Sequence, residues 1–298
     1  MSGSEMTLRP ASASLARTVL GIFKLRIGVL IMITALAGLA IAPGAAPAPW
    51  QVLVLALSVL VASGAAGAFN QFVEADADRL MKRTRNRAFA SGALKTSGAW
   101  LALIAGLLAA SVGTAAWALN LVAALYIFLG AFFYGVVYTV WLKRRSWTNI
   151  VVGGLSGSFA VLAGGAAVDP SLGPLPVLLA LVLFLWTPPH FWSLAIAHHA
   201  DYAAAGVPML PVVAGPARAA RIVHWNAIAL VLASLLPAAF GAGPAYLVGA
   251  LIGGAHFLHK TRALARTPNR ATAMASFFAS MVQLSVLLAA VAVDAALR

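Results

Sequence analysis

Cysteine is absent from the 298 residues, so no disulfide, thiolate metal site or c-type haem attachment is available. Charge is almost as scarce. Only 9% of residues are Asp, Glu, Lys or Arg, against about a quarter in soluble domains, while 62% are hydrophobic. Just seven residues are acidic. The chain also has no P-loop, GxGxxG turn, nucleophile elbow or HExxH zinc motif, which removes those routes to nucleotide, serine-hydrolase and zinc chemistry. No internal repeat with matching motifs is evident.

What is present is a series of long apolar runs. A hydrocarbon core of ~30 Å needs ~20 apolar residues per helix. Nine stretches qualify: Ile22–Ala42, Gln51–Glu74, Gly98–Leu119, Leu121–Leu142, Asn149–Val168, Pro174–Ala197, Arg221–Phe240, Pro244–Leu258 and Ala271–Ala296. In lipid the backbone must satisfy its own hydrogen bonds, so these are expected to be helices. The expected fold is an all-α integral membrane bundle of nine transmembrane helices.

The basic residues orient that bundle. Of 20 Lys and Arg, 19 lie before or at the start of the first stretch, or at or between the facing ends of stretches 2 and 3, 4 and 5, 6 and 7, or 8 and 9; only Arg298 lies at the other end. The positive-inside rule makes the 19-residue side cytoplasmic, with the amino terminus on that side. The formal net charge of +13 is therefore read as topology beside anionic headgroups, not as a nucleic-acid footprint. Residues 1–16 are polar, include Glu5 and lack the apolar core of a signal peptide. They are read as a disordered cytoplasmic tail ahead of a single transmembrane domain over 17–298. A bacterial inner membrane is favoured over an organelle.

Three of the seven acidic residues, Glu74, Asp76 and Asp78, sit within five positions at the cytoplasmic end of the second stretch. Successive helical residues turn by ~100°, so Asn70, Glu74 and Asp78 share one face while Asp76 points roughly the other way. Two carboxylates and an amide on one stripe suit Mg²⁺, which prefers oxygen ligands and is completed by substrate phosphates. The cations that follow, Arg79, Lys82, Arg83, Arg85 and Arg87, could hold the same phosphates. The bland alternative is a charged helix end with internal salt bridges.

Two further concentrations lie on the same side. Trp186 to Pro211 contains His190, His198, His199 and Asp201, behind Pro188 and Pro189. The prolines are expected to kink the helix and free backbone carbonyls. A structural role suffices for each His alone; together, facing the acidic stripe, they become candidates for metal or substrate contacts. Tyr138 to Ile150 contains Lys143 and Arg144, read either as a helix end with topology charges or as a phosphate clamp.

Asn70, Glu74 and Asp78, followed by Met81, Arg83, Thr84 and Arg87, resemble the first signature of the UbiA-type intramembrane prenyltransferases. Other segments resemble the protohaem IX farnesyltransferase (haem O synthase) branch of that family. These are Lys24-Leu25-Arg26, Tyr138-Thr139 through Leu142-Lys143-Arg144, Asn149 to Gly154, Pro189-His190-Phe191-Trp192, Asp201-Tyr202, and Gly206 to Pro211. The similarity covers roughly residues 22 to 290. The pattern also has departures. Glu74 stands where Asp is usual, Ala88 where Pro is common, and His198 where Arg is usual. Ala160, Val161 and Gly165 replace a Pro-Pro pair and a Trp. Ala197 and Ala205 flank Asp201, so the paired-carboxylate form of a second metal site is missing.

The resemblance implies transfer of farnesyl from farnesyl diphosphate to a vinyl group of haem B, with water adding to give haem O. It implies Mg²⁺ as cofactor, with Asn70, Glu74, Asp78 and Asp201 as catalytic and metal-binding residues. Arg83, Arg87, Lys143 and Arg144 would bind diphosphate, and His190, Trp192 and Tyr202 would bind haem. The implied partners are farnesyl diphosphate, haem B and the lipid bilayer, with contact to haem A synthase or oxidase assembly factors also expected and nucleic acid not. Two rival readings are a sister prenyltransferase acting on an aromatic quinone precursor and a membrane transporter. Charges gathered at one face, and not at the midplane, argue against the transporter.

Overall fold

The structure is a computed structural model that describes residues 15–297; the expected tail falls on residues 1–14 almost entirely, outside the described residues, as does Arg298. It is all-helical. The elements in chain order are α1 (Leu15–Ile22), α2 (Leu25–Ile41), α3 (Pro49–Val73), α4 (Ala75–Leu80), α5 (Gly98–Ala118) and α6 (Leu121–Phe132). A π-helical segment (Phe133–Leu142) continues α6. Then follow α7 (Asn149–Gly153), α8 (Leu155–Val168), α9 (Pro174–Ala197), α10 (His199–Ala204), α11 (Leu210–Ala214), α12 (Pro216–Ala239), α13 (Pro244–Arg266) and α14 (Arg270–Leu297).

The ends are written in the sequence. Pro49, Pro174, Pro216 and Pro244 stand at the first turns of α3, α9, α12 and α13, where a missing N–H costs nothing. Asn120 caps α6 by accepting from the Ala123 amide at 2.8 Å.

Among the described residues, seven helical runs are long and apolar enough to cross a membrane: Pro49–Val73, Gly98–Ala118, Leu121–Leu142, Asn149–Val168, Pro174–Ala197, Pro216–Ala239 and Arg270–Leu297. Leu25–Ile41 is a shorter apolar helix. α13 is long enough but carries His256, His259, Lys260, Arg262 and Arg266 in its second half, so its basic end is helix and not loop. The first expected stretch differs most. Ile22–Ala42 is not one helix, because α1 and α2 are separated at Lys24, whose backbone is left-handed (φ 48°, ψ 44°). The Gln71 side chain donates to the carbonyls of Gly21 and Ile22 at that break, at 3.1 and 3.0 Å. Carbonyls that a helix would have satisfied are thereby kept paired.

The long helices form a ring. α2 packs on α3 and α8, α8 on α6 and α9, α9 on α12 and α14, and α13 on α12 and α14, while α14 returns to α2. Large apolar side chains such as Leu53, Leu57, Leu101, Leu232 and Val248 point outward, as a lipid-facing surface requires. Trp50 and Trp117 pair at the end opposite the basic residues, their centroids 6.2 Å apart, as interfacial aromatics do.

Between helices in lipid, close van der Waals contact replaces the hydrophobic drive, and small residues permit it. The tightest crossing joins α2 and α8. A Cβ on Gly38 would lie 2.1 Å from the Val161 carbonyl oxygen, and one on Gly164 1.8 Å from that of Ala35. Both obstacles are backbone and cannot swing aside. Gly38→Ala and Gly164→Ala should each force the two helices apart and destabilise the protein by about 1–3 kcal/mol, the range for overpacking. Thermal unfolding in detergent would read this. Gly106→Ala is the control: its Cβ meets nothing within 4 Å, and its midpoint should stay level or rise.

Candidate active site

The acidic stripe lies at the basic end of the bundle. Regular helix is interrupted at Glu74 (φ −94°, ψ 8°), between α3 and α4. The i→i−4 bonds nevertheless run through the break: Glu74 N–H donates to Asn70 at 3.1 Å and Asp78 N–H to Glu74 at 2.8 Å. Asn70, Glu74 and Asp78 therefore stay on one face, buried at 3%, 2% and 1% exposure. Asp76 faces away, exposed and paired with Arg79 at 2.9 Å.

Each buried group of the stripe has a named partner. Asn70 Nδ2 donates to Glu74 Oε2 at 2.8 Å and to Thr139 Oγ1 at 3.0 Å. Lys24 Nζ donates to Asn70 Oδ1 at 2.6 Å and to the Tyr134 hydroxyl at 3.2 Å. Lys143 makes a buried ion pair with Glu74. Arg87 pairs with Asp78 Oδ2 at 2.7 Å. The other oxygen, Asp78 Oδ1, is buried with no hydrogen-bond partner.

The π-helical segment makes this convergence possible. In an α-helix, nine residues at ~100° each would place Lys143 roughly opposite Tyr134. The extra residue per turn, seen where Lys143 N–H donates to Tyr138 at 2.9 Å, brings Tyr134, Thr139 and Lys143 toward one side. Thr139 Oγ1 donates to the Tyr134 carbonyl at 2.8 Å, satisfying a group that the wider turn displaces.

These residues line one end of a cavity of about 960 Å³, large for a ligand site. Asn70, Glu74, Asp78, Arg83, Arg87, Lys143 and Lys24 all face it. Beyond them the wall is apolar or small: Ile31, Val59, Ala62, Ala131, Gly157 and Leu288. Tyr202, on α10, also lines it; burial pushes the hydroxyl's pKa up, against the pull of the hydrogen-bonded Arg83 guanidinium.

The wall made by α9 carries His190. Its neighbours at the cavity are Trp186, Thr187, Phe191 and Leu194, the i, i+4 face. α9 runs as continuous helix through Pro188 and Pro189. His190 caps no carbonyl freed by them; its Nδ1 lies 2.7 Å from Ser280 Oγ on α14. Trp192 does not line the cavity. Two residues past His190 it is rotated to the far side of α9, buried at 3% and 6.3 Å from Trp147. Phe191 holds the cavity position expected of it. Arg144 is exposed outside the cavity. Asp201 also lies outside the lining, 3.8 Å from His198 Nδ1.

Lys24, Tyr134 and Thr139 are site residues to which the sequence reading gave no role in the site. Lys24 was legible in part, as a cation inside an otherwise apolar stretch. Nothing local marks Tyr134 and Thr139, because only the π-helical turn directs them inward.

The donor set fits a hard cation. Two buried carboxylates, one with an unpartnered oxygen, and an amide face a cavity ringed by cations. Among the described residues there is no cluster of three or more His, Asp or Glu placed to enclose a metal. Further oxygens must come from outside the protein, as Mg²⁺ takes them from phosphates and water.

Comparison with known proteins bears on the whole chain. Residues 31–282 match the model of the UbiA prenyltransferase family. The chain is 56% identical over 278 residues to "Protoheme IX farnesyltransferase 2" of Paramagnetospirillum magneticum, covering 93% of this chain and 96% of that one. It is 47% identical to "Protoheme IX farnesyltransferase 1" of the same organism, covering 93% and 98%. Among solved structures, a digeranylgeranylglyceryl phosphate synthase superposes with a TM-score of 0.78 at 20% identity, covering 94% of this chain and 98% of that one. A UbiA homologue from Archaeoglobus fulgidus, bound to GPP and Mg²⁺, gives 0.69 at 15% identity, covering 91% and 99%. With more than half of its length matched by the family model and close relatives aligned nearly end to end, the chain belongs to the UbiA prenyltransferase family.

Proposed function

We propose that the protein is a multi-pass membrane enzyme that transfers the farnesyl group of farnesyl diphosphate to a vinyl group of haem B, making haem O. One observation carries this reading beside the close relatives. A single cavity joins a buried set of carboxylates and cations at the basic face to a large apolar interior. A diphosphate with an isoprenoid tail, and an amphipathic porphyrin, need that combination.

Arg83, Arg87, Lys143 and Lys24 face the position where diphosphate oxygens would sit. Arg87 and Lys143 now neutralise Asp78 and Glu74. Mg²⁺ held by Asn70, Glu74 and Asp78 would take over those carboxylates and neutralise part of the diphosphate charge. The cations then stabilise the leaving group as the allylic C–O bond lengthens and negative charge gathers on its oxygen. The apolar wall keeps most water from the allylic carbon. The terminal vinyl carbon forms the new C–C bond. Water adds at the carbon next to the porphyrin and gives up a proton, leaving the hydroxyethylfarnesyl group. His190, Phe191 and Tyr202 form the acceptor side of this assignment. Arg144, Asp201 and Trp192 are left out of it because none lines the cavity.

The same proposal makes residues 17–298 one domain of nine membrane-spanning helices, α2 and α13 included, in a bacterial inner membrane. Its basic face, with the amino terminus, is cytoplasmic. The haem O formed would pass to a haem A synthase or an oxidase assembly factor.

Membranes containing the protein, given haem B, labelled farnesyl diphosphate and Mg²⁺, should place label in haem. Label in a quinone precursor and none in haem would overturn the acceptor assignment. In that assay Asn70→Ala and Asp78→Ala should each lose about 2–4 kcal/mol of transition-state stabilisation, the range for key electrostatic groups. Asp76→Ala should lose far less, since its side chain is exposed with Arg79. Reporter fusions should find the amino terminus cytoplasmic and the carboxyl terminus on the outer side; both on one side would exclude nine spans.

A further inference from the structure

The His190 imidazole is held more tightly than a cavity wall requires. It stacks on Trp186 (centroids 4.2 Å apart, 21° between planes) and on Phe277 (4.5 Å, 29°). Two rings can stack this closely on one imidazole only from opposite faces. Phe191 closes on its edge at 4.9 Å and 84°. The ring can still turn over about its own bond, and Ser280 opposes that. Ser280 Oγ lies 2.7 Å from His190 Nδ1, and the Ser280 carbonyl accepts the Trp186 indole N–H at 2.8 Å. One residue of α14 thus ties down two of the rings that α9 contributes.

Counting protons at Ser280 fixes the tautomer. Its Oγ lies 2.6 Å from the Phe277 carbonyl oxygen, a contact that needs a hydrogen. A carbonyl has none to give, so the serine hydroxyl proton lies there. The hydroxyl has then no second hydrogen for His190. The proton in the 2.7 Å contact must be on Nδ1. The ring sits among aromatic side chains, with no acidic partner among the described residues, and a neutral imidazole is the form such a wall accepts. A neutral imidazole protonated on Nδ1 carries its lone pair on Nε2. Nε2 makes no hydrogen bond among the described residues, and His190 lines the cavity.

We infer that Ser280 is a positioning residue: it locks His190 in the Nδ1–H tautomer and presents the bare Nε2 to the cavity as a ligand for the iron of bound haem. The inference rests on the haem reading above. Of the groups on a haem, the propionates, methyls and vinyls have no use for a lone pair, and the iron does. The arrangement has the usual form of a metal-binding histidine, whose second nitrogen is held by a hydrogen bond that sets tautomer and orientation.

The purified full-length protein in detergent, titrated with ferric haem B and followed by absorption, tests this, with farnesyl diphosphate binding as the measure of intact fold. The wild-type chain should give an imidazole-ligated haem spectrum. His190→Gly should lose that spectrum and regain it on addition of free imidazole. Ser280→Ala should bind haem about 10–100-fold more weakly, with a mixed spectrum, as loss of an outer-shell partner does. Ser280→Thr, which keeps the hydroxyl, should restore both. All variants should bind farnesyl diphosphate as the wild type does. If Ser280→Ala matches the wild type in spectrum and affinity, or Ser280→Thr fails as Ser280→Ala does, the inference is overturned and the haem reading stands. If the wild-type chain binds no haem at all, the haem reading itself falls, and the inference with it.

Discussion

Two carboxylates, Glu74 and Asp78, are buried at the end of a bundle whose surface is made for lipid, and the fold around them is arranged so that neither is alone. An isolated carboxylate at that depth would cost several kcal/mol of lost solvation. Here each has its own cation, Lys143 and Arg87, and Asn70 joins Glu74 to Lys24. The partners come from four separate places: the start of α2, the end of α3, the π-helical continuation of α6, and the loop after α4. Removing Lys143 or Arg87 would strand a buried carboxylate, and removing Lys24 would leave the Asn70 amide oxygen without its donor. The cluster therefore fixes where those helix ends meet, and that in turn places the polar mouth of the cavity.

The departures from regular helix gather at this mouth. The chain is left-handed at Lys24, breaks at Glu74, and widens to a π-helix from Phe133 to Leu142. Regular α-helix would leave Lys24 in mid-span and Lys143 turned from Tyr134. The legibility of the sequence follows the same line. The apolar runs showed the long helices, because twenty-residue hydropathy depends on composition alone. The Asn70, Glu74, Asp78 face was legible because i→i−4 bonding persists through Glu74. Lys24 and Thr139 entered the sequence reading only within segments of family resemblance, Lys24 also as a topology charge, and Tyr134 not at all, because no local pattern announces a left-handed residue or a π-helical turn.

Elsewhere the residue type was legible and its direction was not. Trp192 looked like the flat ring for a porphyrin wall, but α9 stays helical through Pro188 and Pro189, and a two-residue step from His190 turns Trp192 into the packing around Val207, Leu210 and Leu264. Phe191 and Trp186 hold the cavity positions. Arg144 and Asp201 matched by type as well, yet each stands outside the lining while its immediate neighbour in sequence, Lys143 or Tyr202, reaches it. A motif names neighbours in sequence, and helix geometry selects which of them share a face.

The two ends of the cavity answer to different rules, and α2 joins them. At the basic end, electrostatics selects partners one by one. Along α9 and α14, hydroxyls do it: Ser193 donates to the Pro189 carbonyl at 2.7 Å and meets Ser276 at 2.8 Å, one turn below the contact of Ser280 with His190. α2 packs on α3, α8, α9 and α14 at once, so it is a wall shared by both ends. Its approach to α8 is set by Gly38 and Gly164, where no side chain could fit. A wider crossing there would move Lys24 relative to Asn70 and open the wall toward lipid. The glycines far from the charges are thus part of what holds the polar mouth and the apolar interior in one cavity, with the ionic groups of its lining confined to one end.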